Sequence, residues 1–99
     1  PLRFLKEIKR SNSSYWQIII FVKDLITRNK LARFLENKKI ETRTSFPLVH
    51  TMPMYKSKNL LLSNAKKLAE TGICLPSSAS LSKKDIKYVC DQIKYCFYK

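Results

Sequence analysis

The sequence predicts an α+β domain in which a small, largely antiparallel sheet is covered by helices. Two kinds of segment support this fold class: short runs rich in Ile, Val and aromatic residues, and longer segments with apolar residues at helical spacing. The strand-like runs are too few for a doubly wound sheet. The chain has 99 residues, of which 44% are hydrophobic, so we expect a single domain with one core over residues 1–99.

The first part of the chain predicts two helices with a strand between them. Apolar residues from Pro1 to Arg10 have approximate helical spacing and a polar break follows, which predicts a linking helix and turn over residues 1–13. The run from Tyr15 to Lys23 is predicted to be a buried strand. The second helix should be capped by the Thr27 hydroxyl and should end over residues 37–39.

The middle of the chain alternates strand and loop signals before a third helix. Ile40 to Phe46 is predicted to be a strand, and residues 52–58 are predicted to be irregular. A short apolar piece over residues 60–62 should pack against the core. Ser63 is then predicted to cap a helix over residues 64–70.

The last part of the chain predicts one short strand and one long helix. Gly72, the only glycine, is expected in the left-handed region just after the preceding helix, and a strand should follow over residues 73–75. Ser82 and Asp85 have the spacing of a capping box, which predicts a helix that runs to about Phe97. Its apolar stripe contains Ile86, Val89, Cys90, Ile93 and Phe97.

The net charge of +13 could indicate an anionic partner such as nucleic acid. However, the basic residues are spread over every segment, and no helix-turn-helix pattern, RNA-binding aromatic motif or Gly-rich clamp is present. We therefore favour a solvated basic surface over a nucleic-acid-binding module, which is kept as the alternative.

Cysteine use and hydropathy exclude two further classes. The three cysteines, Cys74, Cys90 and Cys96, lack CxxC spacing, and with a single histidine they form no convincing zinc set, so we expect structural thiols and no metal site. The longest apolar run, Ile18 to Val22, is too short to cross a bilayer, and the first residues do not form a signal peptide. We expect a cytoplasmic protein without membrane association.

The strongest functional signal is the run IETRTSFPLVHTMPMY from Ile40 to Tyr55. It brings together the only histidine, an arginine, two prolines and a tyrosine in a segment that is neither a clean helix nor a clean strand. Segments of this kind, held by regular neighbours, commonly carry ligand contacts. Arg43, His50 and Tyr55 are the candidate substrate-binding residues.

The same run resembles the C-terminal domain of the DegT/DnrJ/StrS family of sugar aminotransferases. The resemblance rests on the TR pair that ends at Arg43, the Pro-Leu-Val-His piece that ends at His50, and the P-x-Y that ends at Tyr55. Collinear matches lie upstream at Tyr15-Trp16 and downstream from Gly72. The resemblance implies the small domain of a fold-type-I aminotransferase, and it covers nearly the whole chain.

The resemblance also implies an activity whose reactive centre lies elsewhere. Members of this family use pyridoxal phosphate to aminate nucleotide-linked keto-sugars, here of the perosamine type used in cell-surface polysaccharides, usually with glutamate as donor and as homodimers. The family's Schiff-base lysine, its pyridinium-pairing Asp and its phosphate-binding loop belong to a large domain that would precede Pro1. We therefore expect no catalytic or cofactor-binding residue in this chain, and no activity from it alone. A truncated, non-catalytic partner of a full-length enzyme is a further alternative.

Each candidate has a structural alternative to its ligand role. His50 aligns with a family histidine that would contact the sugar or its phosphate, but it could instead be a loop histidine bonded to backbone. Arg43 could pair with a carboxylate or phosphate, or could hold the loop. Tyr55 could donate its hydroxyl or simply pack, and Trp16 is expected in the core. Lys39 stands where the family usually has glycine, so if that position needs positive φ, the chain either accepts a cost there or shifts the turn onto Asn37 or Lys38.

Overall fold

The computed structural model describes residues 2–14, 16–55 and 62–98. These residues form four strands and three α-helices: β1 (Arg3–Phe4), β2 (Ile18–Phe21), α1 (Leu25–Asn37), β3 (Arg43–Thr44), α2 (Ser63–Thr71), β4 (Gly72–Leu75) and α3 (Lys83–Tyr98). The strands form one sheet in the order β1-β2-β4-β3, and every neighbouring pair is antiparallel. The predicted α+β class with a small antiparallel sheet is confirmed.

One face of the sheet forms the core with α1 and α3. Ile20 pairs with Ile73 across β2 and β4, and both are buried. The core cluster contains Ile20, Val22, Leu31, Leu35, Ile40, Ile73 and Ile93. Because side chains alternate along a strand, Ile19, Phe21 and Cys74 point to the opposite face. This second face carries the candidate site.

Helix α1 begins one turn earlier than the sequence predicted. Asp24, not Thr27, is the N-cap: its Oδ1 accepts a hydrogen bond from the Thr27 backbone N–H at 2.7 Å. These hydrogen bonds with Thr27 are the main reason why the pKa of Asp24 is lowered. The prediction failed because both residues are good caps, and Asp24 lies where the backbone is still extended.

Lys39 ends α1 in the left-handed region, with φ of 62°. Its N–H donates to the Glu36 carbonyl, and the Ile40 N–H reaches back to the Leu35 carbonyl, which is the hydrogen-bond pattern of a Schellman motif. Both Leu35 and Ile40 are buried, so the motif also has its hydrophobic contact. The sequence left open whether the turn stays at Lys39 or shifts to Asn37 or Lys38, and the structure shows that it stays at Lys39.

The predicted linking helix over residues 1–10 is wrong. Arg3 and Phe4 instead form an edge strand that pairs with Phe21 and Ile20 of β2. Short apolar spacing fits a helix or a strand about equally well, and here pairing to the sheet edge prevails over local preference. The polar turn is present, because Ser11 donates from both its N–H and its hydroxyl to the Ile8 carbonyl.

Gly72 is not a left-handed helix cap. It has φ of −86° and ψ of 144°, and it is the first residue of β4. The reason for glycine is space: a Cβ here would lie 2.9 Å from the Leu68 carbonyl oxygen and 2.9 Å from Ser45 Oγ. Ser63 likewise is not a cap but the first residue of α2, whose N-cap Leu62 makes no side-chain bond.

Helix α3 starts with the predicted capping box. The Ser82 N–H donates to Asp85 Oδ2 and the Asp85 N–H donates to Ser82 Oγ, both at 3.1 Å. The helix lies against α1, where the rings of Phe34 and Tyr95 stack with centroids 6.0 Å apart. The predicted apolar stripe is only partly covered: Ile93 is buried, whereas Ile86 is half-exposed.

The other predicted segments are shorter than expected or lie partly outside the described residues. The predicted strand over residues 40–46 contracts to β3, and residues 49–51 and 53–55 form two single turns of 3-10 helix. Predictions for 56–61 concern residues outside the described ranges. No helix within the described ranges is long and apolar enough to cross a membrane.

Candidate functional site

The segment that follows β3 folds into two consecutive tight turns. The Thr51 N–H and hydroxyl both bond to the Leu48 carbonyl, at 3.2 and 2.8 Å, and the Met52 N–H bonds to the Val49 carbonyl. The Tyr55 N–H then bonds to the Met52 carbonyl at 2.9 Å. These local bonds satisfy the backbone without a sheet or a long helix, which explains why the sequence of this segment matched neither pattern.

These turns form one wall of an apolar cleft on the second face of the sheet. The cleft has a volume of about 590 Å³, which is in the size range of small-molecule sites. Ile19 and Phe21 of β2 form its floor, and α2 forms the opposite wall through residues such as Ala65 and Leu68. The lining is largely apolar, so few neighbouring side chains could form hydrogen bonds with the polar groups that face the cleft.

The base of the cleft is fixed by hydrogen bonds to the end of α2. Ser45 is buried, and its Oγ lies 3.2 Å from the Leu68 carbonyl and 3.4 Å from the Ala69 carbonyl. Arg28 on α1 donates from Nη1 to the same Ala69 carbonyl at 3.0 Å. The Ala69 carbonyl near the end of α2 is thereby satisfied by side chains. The junction of β3, α1 and α2 is a rigid support for the cleft.

His50 and Tyr55 line this cleft together. His50 is half-buried, whereas Tyr55 is 62% exposed. In the described part of the chain, neither the His50 imidazole nor the Tyr55 hydroxyl has a hydrogen-bond partner, so the backbone-bonded alternative for His50 is not observed. Both side chains can therefore offer hydrogen bonds to a ligand in the cleft.

Arg43 lies on the same sheet face but outside the cleft. It pairs with Cys74 across β3 and β4, and its side chain lines a separate crevice of about 370 Å³ with Trp16, Gln17 and Glu41. Its guanidinium is 3.7 Å from the Glu41 carboxylate, and both side chains are about 80% exposed. An exposed pair of this length is weak, so the guanidinium is available to another anion.

Cys74 is a buried thiol that lines the crevice beside Arg43. Burial raises its pKa, while the nearby charge of Arg43 opposes that shift. Its sulfur lies 3.8 Å from the Thr44 carbonyl oxygen. A thiol held in the neutral form by burial is a poor nucleophile, which agrees with the structural role predicted for this cysteine.

The expectation that Trp16 is a core residue is wrong. Trp16 is 71% exposed, and its ring lies 6.2 Å from the Phe46 ring at an interplanar angle of 37°. The residue precedes β2, beyond the area that the helices cover, and the Ser77 hydroxyl donates to its carbonyl oxygen at 3.0 Å. The polar break before Tyr15 was the available signal, because it places Trp16 at the end of the sheet.

The described residues do not fit pyridoxal phosphate, the cofactor that the resemblance implies for the whole enzyme. A Schiff-base lysine needs a sheltered setting, and every described lysine is exposed. The buried polar side chains, Ser45 and Thr71, both interact with backbone carbonyls. No group of metal-binding side chains occurs within the described ranges.

The comparisons with known proteins agree with this architecture. The profile of the DegT/DnrJ/EryC1/StrS aminotransferase family matches residues 2–94. The GDP-perosamine synthase of Escherichia coli O157:H7 is 41% identical over 88 residues, which are 89% of this chain and 24% of that protein. The GDP-perosamine synthase of Vibrio cholerae is 34% identical over 98% of this chain and 28% of its own length.

A solved structure shows the same fold. The aminotransferase TlmJ from Streptoalloteichus hindustanus superposes with a TM-score of 0.86 at 25% sequence identity, over 97% of this chain and 26% of TlmJ. The chain thus spans about a quarter of the length of these relatives. Sequence and fold together place the chain in the DegT/DnrJ/EryC1/StrS aminotransferase family.

Proposed function

We propose that this chain forms the C-terminal substrate-binding domain of an aminotransferase that converts a nucleotide-linked keto-sugar into an amino-sugar, as the name of its GDP-perosamine synthase relatives suggests. The observation that carries the proposal is the apolar cleft into which His50 and Tyr55 project. The family assignment does not favour the alternative of a nucleic-acid-binding module. The substrate is proposed to be a keto-sugar linked to guanosine diphosphate, and the product is proposed to be of the perosamine type.

In this proposal the cleft orients the sugar and excludes water from it. The floor formed by Ile19 and Phe21 favours the apolar face of a deoxygenated sugar. The His50 imidazole can donate to or accept from a sugar hydroxyl or a phosphate oxygen, and the Tyr55 hydroxyl can do the same. Arg43, in the neighbouring crevice, can pair with the diphosphate through two parallel N–H bonds.

The amination chemistry is assigned to the remainder of the enzyme. Pyridoxal phosphate in full-length relatives provides the electron sink for amino-group transfer, and no described residue of this chain has the setting to hold it. We propose that the residues of this chain bind and position the sugar nucleotide only. The intact enzyme is proposed to take its amino group from glutamate, to be homodimeric and to act in the cytoplasm.

A chimeric enzyme tests this proposal. In the E. coli O157:H7 GDP-perosamine synthase, this chain would replace the segment that it matches, and formation of the amino-sugar would be measured. We expect an active chimera, in which His50→Ala lowers kcat/KM by about 10- to 100-fold because a hydrogen bond to a charged or polar substrate group is lost. Lys84→Ala on the exposed side of α3 is the matched control and should leave kcat/KM unchanged.

Two outcomes would contradict the proposal at different points. A chimera that folds and binds its cofactor but forms no amino-sugar would overturn the assigned function. An active chimera in which His50→Ala and Tyr55→Phe both retain the full kcat/KM would show instead that the cleft does not contact the substrate.

A further inference from the structure

We propose that the crevice beside Arg43 is a nucleoside subsite, in which the planar base of a nucleotide stacks on the exposed indole of Trp16. This inference rests on the proposed function in taking a nucleotide-linked sugar as the ligand. It extends that function by placing the base on Trp16 in the crevice beside Arg43, outside the cleft.

The first support is the exposure of two large rings at one point. Trp16 is 71% exposed and Phe46 is 61% exposed, and their rings are close enough to form one aromatic surface. A single exposed aromatic ring is ordinary, but two adjacent rings with a polar rim form the kind of surface that ligands cover. Every nucleobase has a flat π-face, and its stacking on an aromatic side chain is favourable.

The second support is the chemistry of the crevice in which the indole lies. Gln17, Glu41 and Arg43 line it with Trp16, so its wall offers an amide, a carboxylate and a guanidinium within one space of about 370 Å³. The edge of a base carries both donors and acceptors, and this set can satisfy both. The cleft with His50 and Tyr55 is largely apolar by contrast, and it lacks charged groups to read a base.

The third support is that the backbone that carries the ring is held in place. The Ser77 hydroxyl donates to the Trp16 carbonyl oxygen at 3.0 Å, across 61 positions of the sequence. The backbone then enters β2 at Ile18, which pairs with Leu75. A stacking platform fixed by tertiary bonds loses less conformational freedom on binding than one on a free loop.

Intrinsic tryptophan fluorescence can test this inference, because Trp16 is the only tryptophan of the chain. The fluorescence of the 99-residue chain would be excited where tyrosine does not absorb and followed during titration with guanosine, guanosine diphosphate and ribose 5-phosphate. We expect saturable quenching by the two guanine compounds and none by ribose 5-phosphate. Quenching by uncharged guanosine should be insensitive to salt, which separates stacking from attraction of phosphate to a chain of charge +13.

A set of variants tests the ring itself with calorimetric binding, which does not need the tryptophan signal. Trp16→Leu should weaken guanosine diphosphate binding by about fivefold or more, since loss of base stacking of the usual strength has at least that effect. Tyr98→Leu removes an equally exposed aromatic ring from the end of α3 and should leave binding unchanged. Far-UV circular dichroism verifies that both variants are folded.

Two results would overturn the inference. One is the absence of guanosine quenching from a folded chain, which would mean that the ring pair is covered by protein or left in solvent. The other is equal binding of guanosine diphosphate by Trp16→Leu and the unchanged chain. Neither result bears on amino-sugar formation by the chimera, so the inference can fail while the proposed function stands.

Discussion

Replacing Gly72 with alanine adds one methyl group at the closest approach of β4, α2 and the residue after β3. The new Cβ would lie 2.9 Å from the Leu68 carbonyl oxygen, 2.9 Å from Ser45 Oγ and 3.0 Å from Ser45 Cβ. The Leu68 oxygen cannot simply move away, because it accepts hydrogen bonds from the Gly72 N–H and from Ser45 Oγ. The substitution therefore forces the end of α2 and β4 apart at the base of the cleft.

Two effects of opposite sign decide the magnitude. The backbone of Gly72 has a φ that alanine adopts freely, so the smaller entropy of the unfolded alanine chain alone would stabilise the fold by about 0.4–1 kcal/mol. Overpacking in a close contact destabilises by about 1–3 kcal/mol. The steric effect is the larger, and we expect a net loss of about 1–2 kcal/mol in the free energy of unfolding. For a domain of this size, that loss lowers Tm by about 4–16 °C.

Urea denaturation and thermal melting of the purified chain, followed by circular dichroism, measure this change. The Ser45→Gly background is the internal control, because it removes two of the three close contacts. In that background Gly72→Ala should cost less than it does in the unchanged chain. A Gly72→Ala variant that is as stable as the unchanged chain, or more stable, would refute the steric argument and leave only the entropic one.

Three further predictions concern stability. Arg28→Met should lower the free energy of unfolding by about 1–2 kcal/mol, because the carbonyl at the end of α2 loses a charged donor, whereas Arg33→Met on the exposed side of the same helix should change it little in urea titrations. Lys39→Gly should increase the free energy of unfolding by about 0.5–1 kcal/mol and raise Tm, because glycine adopts a positive φ without strain. Lys38→Gly is the control and should lower Tm, because Lys38 has a negative φ. Similar shifts of Tm at both positions would contradict this reasoning. Asp85→Asn should make Tm less sensitive to acid. Hydrogen bonds with Ser82 at the start of α3 lower the pKa of the Asp85 carboxyl. The carboxylate therefore stabilises the fold above its ordinary pKa of about 3.9, and this stabilisation is lost as the pH falls through the lower pKa of the folded state. Melting curves from neutral to acidic pH check it, and parallel losses of Tm in variant and unchanged chain would contradict the reasoning.

The sequence predicts those elements whose signals are local and agree with one another. The capping box at Ser82 depends on a few neighbouring residues, and it is observed. Buried β2 was also predicted, because its apolar run has no competing helical signal. Local consistency between propensity and pattern is what makes such segments predictable.

The failures occur where a distant contact decides between two acceptable local structures. The chain around Phe4 could form a helix or a strand, and pairing with β2 decides it. Glycine is needed at position 72 partly because Ser45, 27 positions earlier, leaves no room for a Cβ. A left-handed turn was instead predicted at this glycine from the sequence. No spacing rule could show these contacts before the fold was known.

The sequence named candidate residues for the site but did not show how the fold arranges them. His50 and Tyr55 share a cleft because each lies in one of two consecutive tight turns, an arrangement that the sequence did not predict. Arg43 was grouped with them, but the strand pairing of Arg43 with Cys74 directs it to another crevice. Trp16 was assigned to the core because a large aromatic residue beside a strand usually is buried, although the polar break before Tyr15 was a signal that Trp16 lies at the end of the sheet.

The neighbouring rings of Phe46 and Trp16 lie at the boundary between the cleft and the crevice. Phe46 borders the apolar cleft, Trp16 borders the polar crevice, and the two rings lie 6.2 Å apart. Since the rings are neighbours, the proposed positions of the sugar and of the base adjoin at this pair. A sugar and a base joined by a diphosphate would then occupy both compartments as one ligand, whereas a free sugar or a free nucleoside would fill only one of them.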